Sequence, residues 1–260
     1  MPTPLEVLLD PLSLVVLAAY FGLMGWEFAF PGRRLPAVPY WRIKGIAFFI
    51  GFFYLSTYLP MAWDRYLAEW QFFDLTGLGD VGGAVVGLLI YEAAAYGWHR
   101  LMHTSPVLWQ TFHQMHHSSE RLDTPSAFYF SPLDMVGWTF LGSFALVLIV
   151  GVTPTAATAI VLATTFLAMF QHANIRTPRW LGYLVQRPES HTVHHGRGRH
   201  RDNYADLPVF DMIFGTFHNP RGFGLQTGFY EGGSARMGDM LLCRDISSQR
   251  NDAPDGLAVG

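Results

Sequence analysis

Eleven histidines against a single lysine, Lys44, dominate the chemistry open to this 260-residue chain. His99 and His103 stand at i and i+4 in the run Tyr96 to His103, a spacing that puts both rings on one face of a helix. The run Phe112-His113-Gln114-Met115-His116-His117 places three histidines at i, i+3 and i+4. If that run is helical, all three can face inward. His191-Thr192-Val193-His194-His195 repeats the spacing, and His172 stands alone at the end of an apolar run. One such pair by itself is as well explained by a polar helix end. Two HxxHH runs, one HxxxH and a lone histidine are not, and a flexible histidine tract would be of low complexity. Here the runs are interleaved with Trp109, Phe112, Leu122 and Phe128.

Neutral imidazole is a common metal ligand. A structural zinc site takes about four ligands, and the three runs hold twice that, so two metals sharing the set is the simplest reading. Carboxylates are sparse nearby (Glu120, Asp123, Glu189), which disfavours calcium and magnesium, both oxygen seekers. Iron, zinc, copper and nickel all suit imidazole. The lone cysteine, Cys243, excludes an intramolecular disulfide framework, a cysteine zinc site and an iron–sulfur cluster within one chain.

The elements that must position these rings read as membrane helices. Half of the chain is hydrophobic and only 14% is charged, well under the usual quarter. The net charge of −3 is too small to argue for nucleic acid. Runs of roughly 20 apolar residues can span a bilayer. Leu12 to Phe30, Gly45 to Trp63, Val81 to Trp98, Leu133 to Val152 and Thr155 to Phe170, extending to His172, all qualify or nearly so. Basic residues favour the cytoplasmic side. Arg33, Arg34, Arg42 and Lys44 follow the first span, and Arg176 to Arg201 follow the fifth, whereas Asp64, Glu69, Asp74 and Asp80 follow the second. The expected topology has the N-terminus outside and the C-terminus in the cytoplasm, with Arg65 the one basic residue left outside. All 11 histidines then fall on the cytoplasmic side.

In order and flanks, these runs resemble the fatty acid hydroxylase / sterol desaturase superfamily. His99-Arg100-Leu101-Met102-His103, Leu108-Trp109 and His113-Gln114-Met115-His116-His117-Ser118 are similar to its first two histidine boxes and their linker. Ser131-Pro132-Leu133-Asp134 matches a short turn with an acidic residue, and Gln171-His172-Ala173-Asn174 the lone histidine with its asparagine. His191 to His195, Asn203-Tyr204 and Asp211-Met212-Ile213-Phe214-Gly215-Thr216 match the third box and its tail. The resemblance runs from about Tyr91 to Phe217, and each box alone is weak. It implies an all-α integral membrane helical bundle under a cytosolic helical cap that carries the metals. It implies two irons held by His99, His103, His113, His116, His117, His172, His191, His194 and His195, with dioxygen as co-substrate. His200 and His218 match no box. Asn174 is a candidate to order the His172 side. Asp211 is a candidate to orient a ligand ring, or equally a turn cap.

The activity expected from the resemblance is hydroxylation of an unactivated C–H bond of a lipid: a fatty acyl, sterol or related alkyl chain. Lipid desaturation at the same site is the close alternative. A membrane metal transporter or a zinc-dependent hydrolase is the alternative from another class. Transport would want ionisable groups near the bilayer midplane, and only Glu27, Glu92 and Asp134 offer themselves. The chain shows no cofactor domain, so electrons are expected from a separate reductase, ferredoxin or cytochrome-type protein. Phe128, Tyr129, Phe130, Trp138 and Phe140 are candidate walls of a lipid channel. The expected division is residues 1–98 (three membrane helices), 99–132 (first two boxes), 133–172 (a membrane hairpin) and 173–260 (cap, third box and tail). Met237 to Leu242 reads as a short amphipathic helix on the membrane surface, and the end from Asp245 as loosely ordered. The sequence ends without a basic retrieval signal, and a bacterial inner membrane is the expected location.

Overall fold

A computed structural model describes residues 1–224 and 226–247. It is almost wholly helical, and its only ladder among those residues is the two-residue parallel pair Phe73–Asp74 and Val150–Gly151.

The chain enters through α1 (Pro4–Leu9), closed by a capping box between Thr3 and Glu6. α2 (Pro11–Ala29) starts where Asp10 accepts the Leu12 N–H at 2.9 Å and Pro11 fills the first helical position. Proline is favoured there because its missing N–H would have no intrahelical partner. α3 (Trp41–Ala68) and α4 (Gly79–Thr104) follow. α4 carries His99 and His103 on one continuous helix beyond the apolar stretch that ends at Trp98. Then come the short α5 (Pro106–Leu108), a π-helical turn (Trp109–His113) and α6 (Gln114–His117). α7 (Pro132–Ser143), continued by a π turn (Phe144–Ile149), and α8 (Pro154–His172) follow. Ser131 and Thr153 cap them through Asp134 N–H (3.1 Å) and Ala156 N–H (3.2 Å). α9 (Pro188–His194), α10 (Val209–Phe214) and α11 (Met237–Leu241) complete the chain.

Five helical stretches are long and apolar enough to cross a membrane: Pro11–Ala29, Trp41–Ala68, Thr76–Thr104, Pro132–Ile149 and Pro154–His172. Their outward faces are apolar and unburied. In α2 only Tyr20 is buried, so the rest of that surface needs lipid rather than water to cover it. The chain is a multi-pass membrane protein on this architecture.

Polar order is concentrated at one end. The C-terminal ends of α4 and α8, the α5–α6 segment, the start of α7, and α9 meet there. Small residues allow the close approaches. A Cβ at Gly45 would sit 2.4 Å from Pro125 Cβ, so α3 can press against the turn after the second box. A Cβ at Gly87 would sit 2.7 Å from Ile160 Cδ1, which lets α4 and α8 pack closely. α11 forms as expected, with Met240 buried among Trp41, Met115, Tyr129, Phe229 and Ile246. The chain from Asp245 is ordered at its start, since Ile246 is fully buried. The rest of that tail lies outside the described residues.

Candidate metal centre

The two HxxHH runs do not each serve one point. Three i, i+4 pairs hold together, while the i+3 histidines separate. His99, His103, His113, His117 and His194 form one group, and His116, His172, His191 and His195 form another. Within each group, one ring nitrogen per residue lies within 4.8 Å of all the others. A residue at i+4 sits about 40° round a helix from residue i, and one at i+3 about 60° the other way. His116 and His194 therefore lean across to opposite groups, and His172 completes the second. All nine singled-out histidines converge.

The first HxxHH run reaches this arrangement through the π turn at Trp109–His113, followed by α6. Fixed acceptors orient the rings from outside. His99 Nδ1 donates to Tyr204 O at 2.7 Å, His172 Nδ1 to Ala168 O at 2.7 Å, and His194 Nδ1 to Asp202 O at 2.6 Å. His113 Nδ1 lies 2.9 Å from Asp134 Oδ2. Carbonyls only accept, so in His99 and His172 the proton sits on Nδ1 and Nε2 is a bare lone pair.

The inward atoms meet chiefly one another or no partner at all. His99 Nε2 and His113 Nε2 face each other at 3.0 Å, and His116 Nε2 and His172 Nε2 do the same. With Nδ1 of His99 and His113 turned to their outer acceptors, lone pair opposes lone pair. Both nitrogens of His103, Nδ1 of His116, His191 and His195, and Nε2 of His117 and His194 have no hydrogen-bond partner. Leaving so many buried polar atoms unpaired is costly, and a cation at the centre of each group removes that cost. Burial first, and then neighbouring rings, hold His113, His116, His117, His191, His194 and His195 well below the usual imidazole range. They are neutral near pH 7, the state that binds metal. The donor set fits two imidazole-bound ions.

The strap from His200 to Asp206 supplies two of the outer acceptors. His200, Asp202 and Asn203 all take left-handed backbone angles (φ 41°, 70° and 51°), a region asparagine and aspartate tolerate better than most. Asn203 pins the strap by donating to Ser190 O (2.8 Å) and His218 O (2.9 Å) and accepting the His218 N–H (2.7 Å). Asp211 meets no imidazole. It accepts the N–H groups of Tyr204 (2.8 Å) and Ala205 (3.0 Å) and the Thr216 hydroxyl (2.6 Å), so it acts on His99 only through Tyr204. Asn174 ties the chain after α8 to the loop after α2, through Arg33 and Glu27. His200 reaches His117, Nδ1 to Nδ1 at 3.1 Å. His218 is exposed beside Arg199 and Asp202. The direct partner of His113, Asp134, was visible in the sequence only as an acid in a turn. The backbone acceptors left no sequence signal.

An apolar path leads to the histidines. A cavity of about 410 Å³ runs between α2, α3, α7 and α8, and a smaller one of about 100 Å³ abuts the rings. They share Phe52, Tyr91, Phe128, Trp138, Thr164 and Thr165 as walls, and the inner one touches rings of both groups. Leu12 and Val161 line the outer cavity and are both about half exposed, so the cavity is open at the apolar flank of the bundle. Phe128, Phe130 and Trp138 line this path as expected. Tyr129 and Phe140 do not. Tyr129 packs on Trp41 and Phe48 and donates to Ser234 O at 2.8 Å, and Phe140 leans on Trp63.

A family model described as fatty acid hydroxylase matches residues 84–216. The chain is 34% identical over 141 residues to ornithine lipid hydroxylase OlsE of Rhizobium tropici, covering 52% of this chain and 42% of that protein. It is 35% identical over 128 residues to alkylglycerol monooxygenase of Homo sapiens, covering 47% and 27%. It is 29% identical over 142 residues to a cholesterol 25-hydroxylase-like protein of Danio rerio, covering 50% and 53%. The matched part thus spans about half or less of each of these relatives. No solved structure matches the chain.

Proposed function

The chain belongs to the fatty acid hydroxylase family, and from that premise we propose that it is a membrane diiron monooxygenase that hydroxylates an unactivated C–H bond of a lipid chain. The observation that carries this reading is the convergence of nine histidines into groups of five and four beside an apolar cavity. His99, His103, His113, His117 and His194 would hold one iron, and His116, His172, His191 and His195 the other. When bound, the two irons would supply the redox chemistry, reduction of dioxygen coupled to oxidation of the C–H bond.

The chain's own residues do the rest. Tyr204 O, Ala168 O, Asp202 O and Asp134 fix which nitrogen of the His99, His172, His194 and His113 rings points inward, and such outer partners set ligand orientation and basicity. Phe52, Phe128 and Trp138 make the passage narrow and dry, which admits an alkyl chain and excludes water. The lateral opening at Leu12 and Val161 lets that chain enter from the bilayer. Electrons would come from a separate donor protein of reductase, ferredoxin or cytochrome type, docking at the histidine end. By the distribution of arginines, that end and the C-terminus face the cytoplasm of a bacterial inner membrane and the N-terminus lies outside. A transport reading gains nothing from this layout, because the rings cluster at one end instead of lining a path across.

Lipids of cells expressing the wild-type chain or His194→Ala, grown under ¹⁸O-dioxygen, test the activity. The reading expects one lipid class to gain a single labelled oxygen with the wild type only. Gain of a double bond without label would make the chain a desaturase, and unchanged lipids would contradict the proposal.

A further inference from the structure

The inner cavity has one carboxyl on its wall, Asp206. Gln171, the neighbour of His172, holds it by donating Nε2–H to Asp206 Oδ1 at 2.7 Å. Behind it, Glu92 of α4 is wholly buried. Glu92 Oε2 accepts the Leu207 N–H at 3.0 Å, and Oε1 has no partner. Neither acid forms an ion pair among the described residues. Asp206 itself is partly exposed, a buried carboxylate such as Glu92 without a counter-charge is expensive, and two neighbouring acids resist being ionised together. Burial lifts Asp206 to about 7, where a carboxyl both gives and regains a proton readily near neutrality. Tyr91 and Glu92 on α4, Asp211 on α10 and the neutral rings across the cavity are the titratable groups around it.

Hydroxylation of RH by dioxygen consumes two electrons and two protons and yields ROH and one water. The O–O bond breaks, the C–H bond becomes C–O–H, and the two protons end in the O–H bonds of the water. The electrons come from the donor protein. The protons must reach a cavity whose other walls are rings, methyl groups, hydroxyls and one amide.

We propose that Asp206, backed by Glu92, delivers the protons of this reaction to the cavity, an inference that rests on the hydroxylase reading. Gln171 is the positioning residue that turns the Asp206 carboxyl to the cavity side. After each transfer Glu92 returns a proton to Asp206, and solvent, which reaches the partly exposed Asp206, reloads the two acids.

Infrared spectra of the metal-free protein in detergent, near neutral pH, read the pair without turnover. A protonated-carboxyl band is expected that is lost or displaced in Asp206→Asn and Glu92→Gln and shifts within minutes in deuterated buffer. A spectrum that neither substitution alters, or a band unmoved by deuterium overnight, overturns the proposal. In iron-loaded protein, Asp206→Asn should lower kcat by about 10² to 10⁴-fold with lipid KM and iron content unchanged. Its solvent deuterium isotope effect should grow, and Asp206→Glu should restore most of the rate. A raised KM at unchanged kcat would make Asp206 a substrate contact, and loss of iron would make it structural; either result sinks the idea. If the wild type oxidises no lipid, the hydroxylase reading fails, while the infrared result still decides whether the acid pair carries an exchanging proton.

Discussion

Asp134 Oδ2 lies 2.9 Å from His113 Nδ1, and neither side chain reaches the surface. The Asp134 backbone is itself set by the Ser131 cap at the start of α7, and the Ser131 hydroxyl also donates to Phe112 O at 3.0 Å, so the start of α7 and the histidine-bearing turn are locked together. Removing the carboxyl should free the His113 ring to rotate or change tautomer. Asp134→Ala is expected to weaken iron binding by about 10 to 100-fold with helix content unchanged. Chelator competition on the purified protein measures this, and wild-type affinity would show that the contact does not matter to the site.

The division of rings makes a sharper demand. His194 belongs to the group of five and His116 to the group of four. His194→Ala and His116→Ala should each insert in the membrane, lose activity and bind less than the full metal complement. Full occupancy in both variants would break the ligand assignment.

Tunnel width is open to a steric test. Gly142 lines the outer cavity, and a Cβ there would meet nothing within 4 Å. Gly142→Phe should therefore fold normally and narrow the passage. The expected result is a preference for shorter lipid chains, or a raised KM, at unchanged iron content. An unaltered substrate profile would show that lipid does not use this route.

Acid should unfold the metal-free protein. His113, His116, His117, His191, His194, His195 and His200 all have folded-state values pushed down, His200 to about 4, chiefly by burial. Below the unfolded value of about 6.5, the unfolded chain takes up protons that the folded one refuses, so stability falls as pH falls. Each such ring contributes about 1.4 kcal/mol per pH unit in that window. Asp206, lifted to about 7, and Asp211, to about 6, oppose this, since their contribution is lost as pH rises. Asp123, raised by burial, acts in the same sense, and seven rings outweigh three acids. Thermal unfolding of metal-free protein should show Tm dropping steeply from pH 7 to pH 5, and a flat Tm would mean the rings are not dry.

Much of this was readable in the residues. Five spans follow from apolar length alone, because a bilayer imposes one dimension on every helix that crosses it. The pairing of rings within each run follows from spacing, since i and i+4 on a helix share a face, whereas the gathering of all nine, His172 included, was implied by the family resemblance. What escaped is what depends on distant chain segments. The Asp134–His113 contact joins residues 21 apart, and the Tyr204 and Asp202 carbonyls act through backbone, which no residue type announces. Asp211, read as a ring partner or equally as a turn cap, takes the second role and holds the N–H groups of Tyr204 and Ala205. Tyr129 and Phe140 sit beside true channel residues in sequence but point elsewhere, because helix and turn geometry, set by packing, decides which face meets the cavity.

Orientation in the membrane is a separate matter with its own check. Tags at the two termini should report opposite sides in protease-protection experiments, with the C-terminal tag cytoplasmic. Tags on the same side would contradict an odd number of crossings.

The central claim is that the two histidine groups hold two irons. Metal analysis of detergent-purified protein from iron-supplied cells, paired with Mössbauer spectroscopy, tests it most directly. The account predicts about two irons per chain with nitrogen-rich, coupled signals. A single zinc, or no iron under any loading condition, would contradict it and turn the site towards hydrolysis or transport.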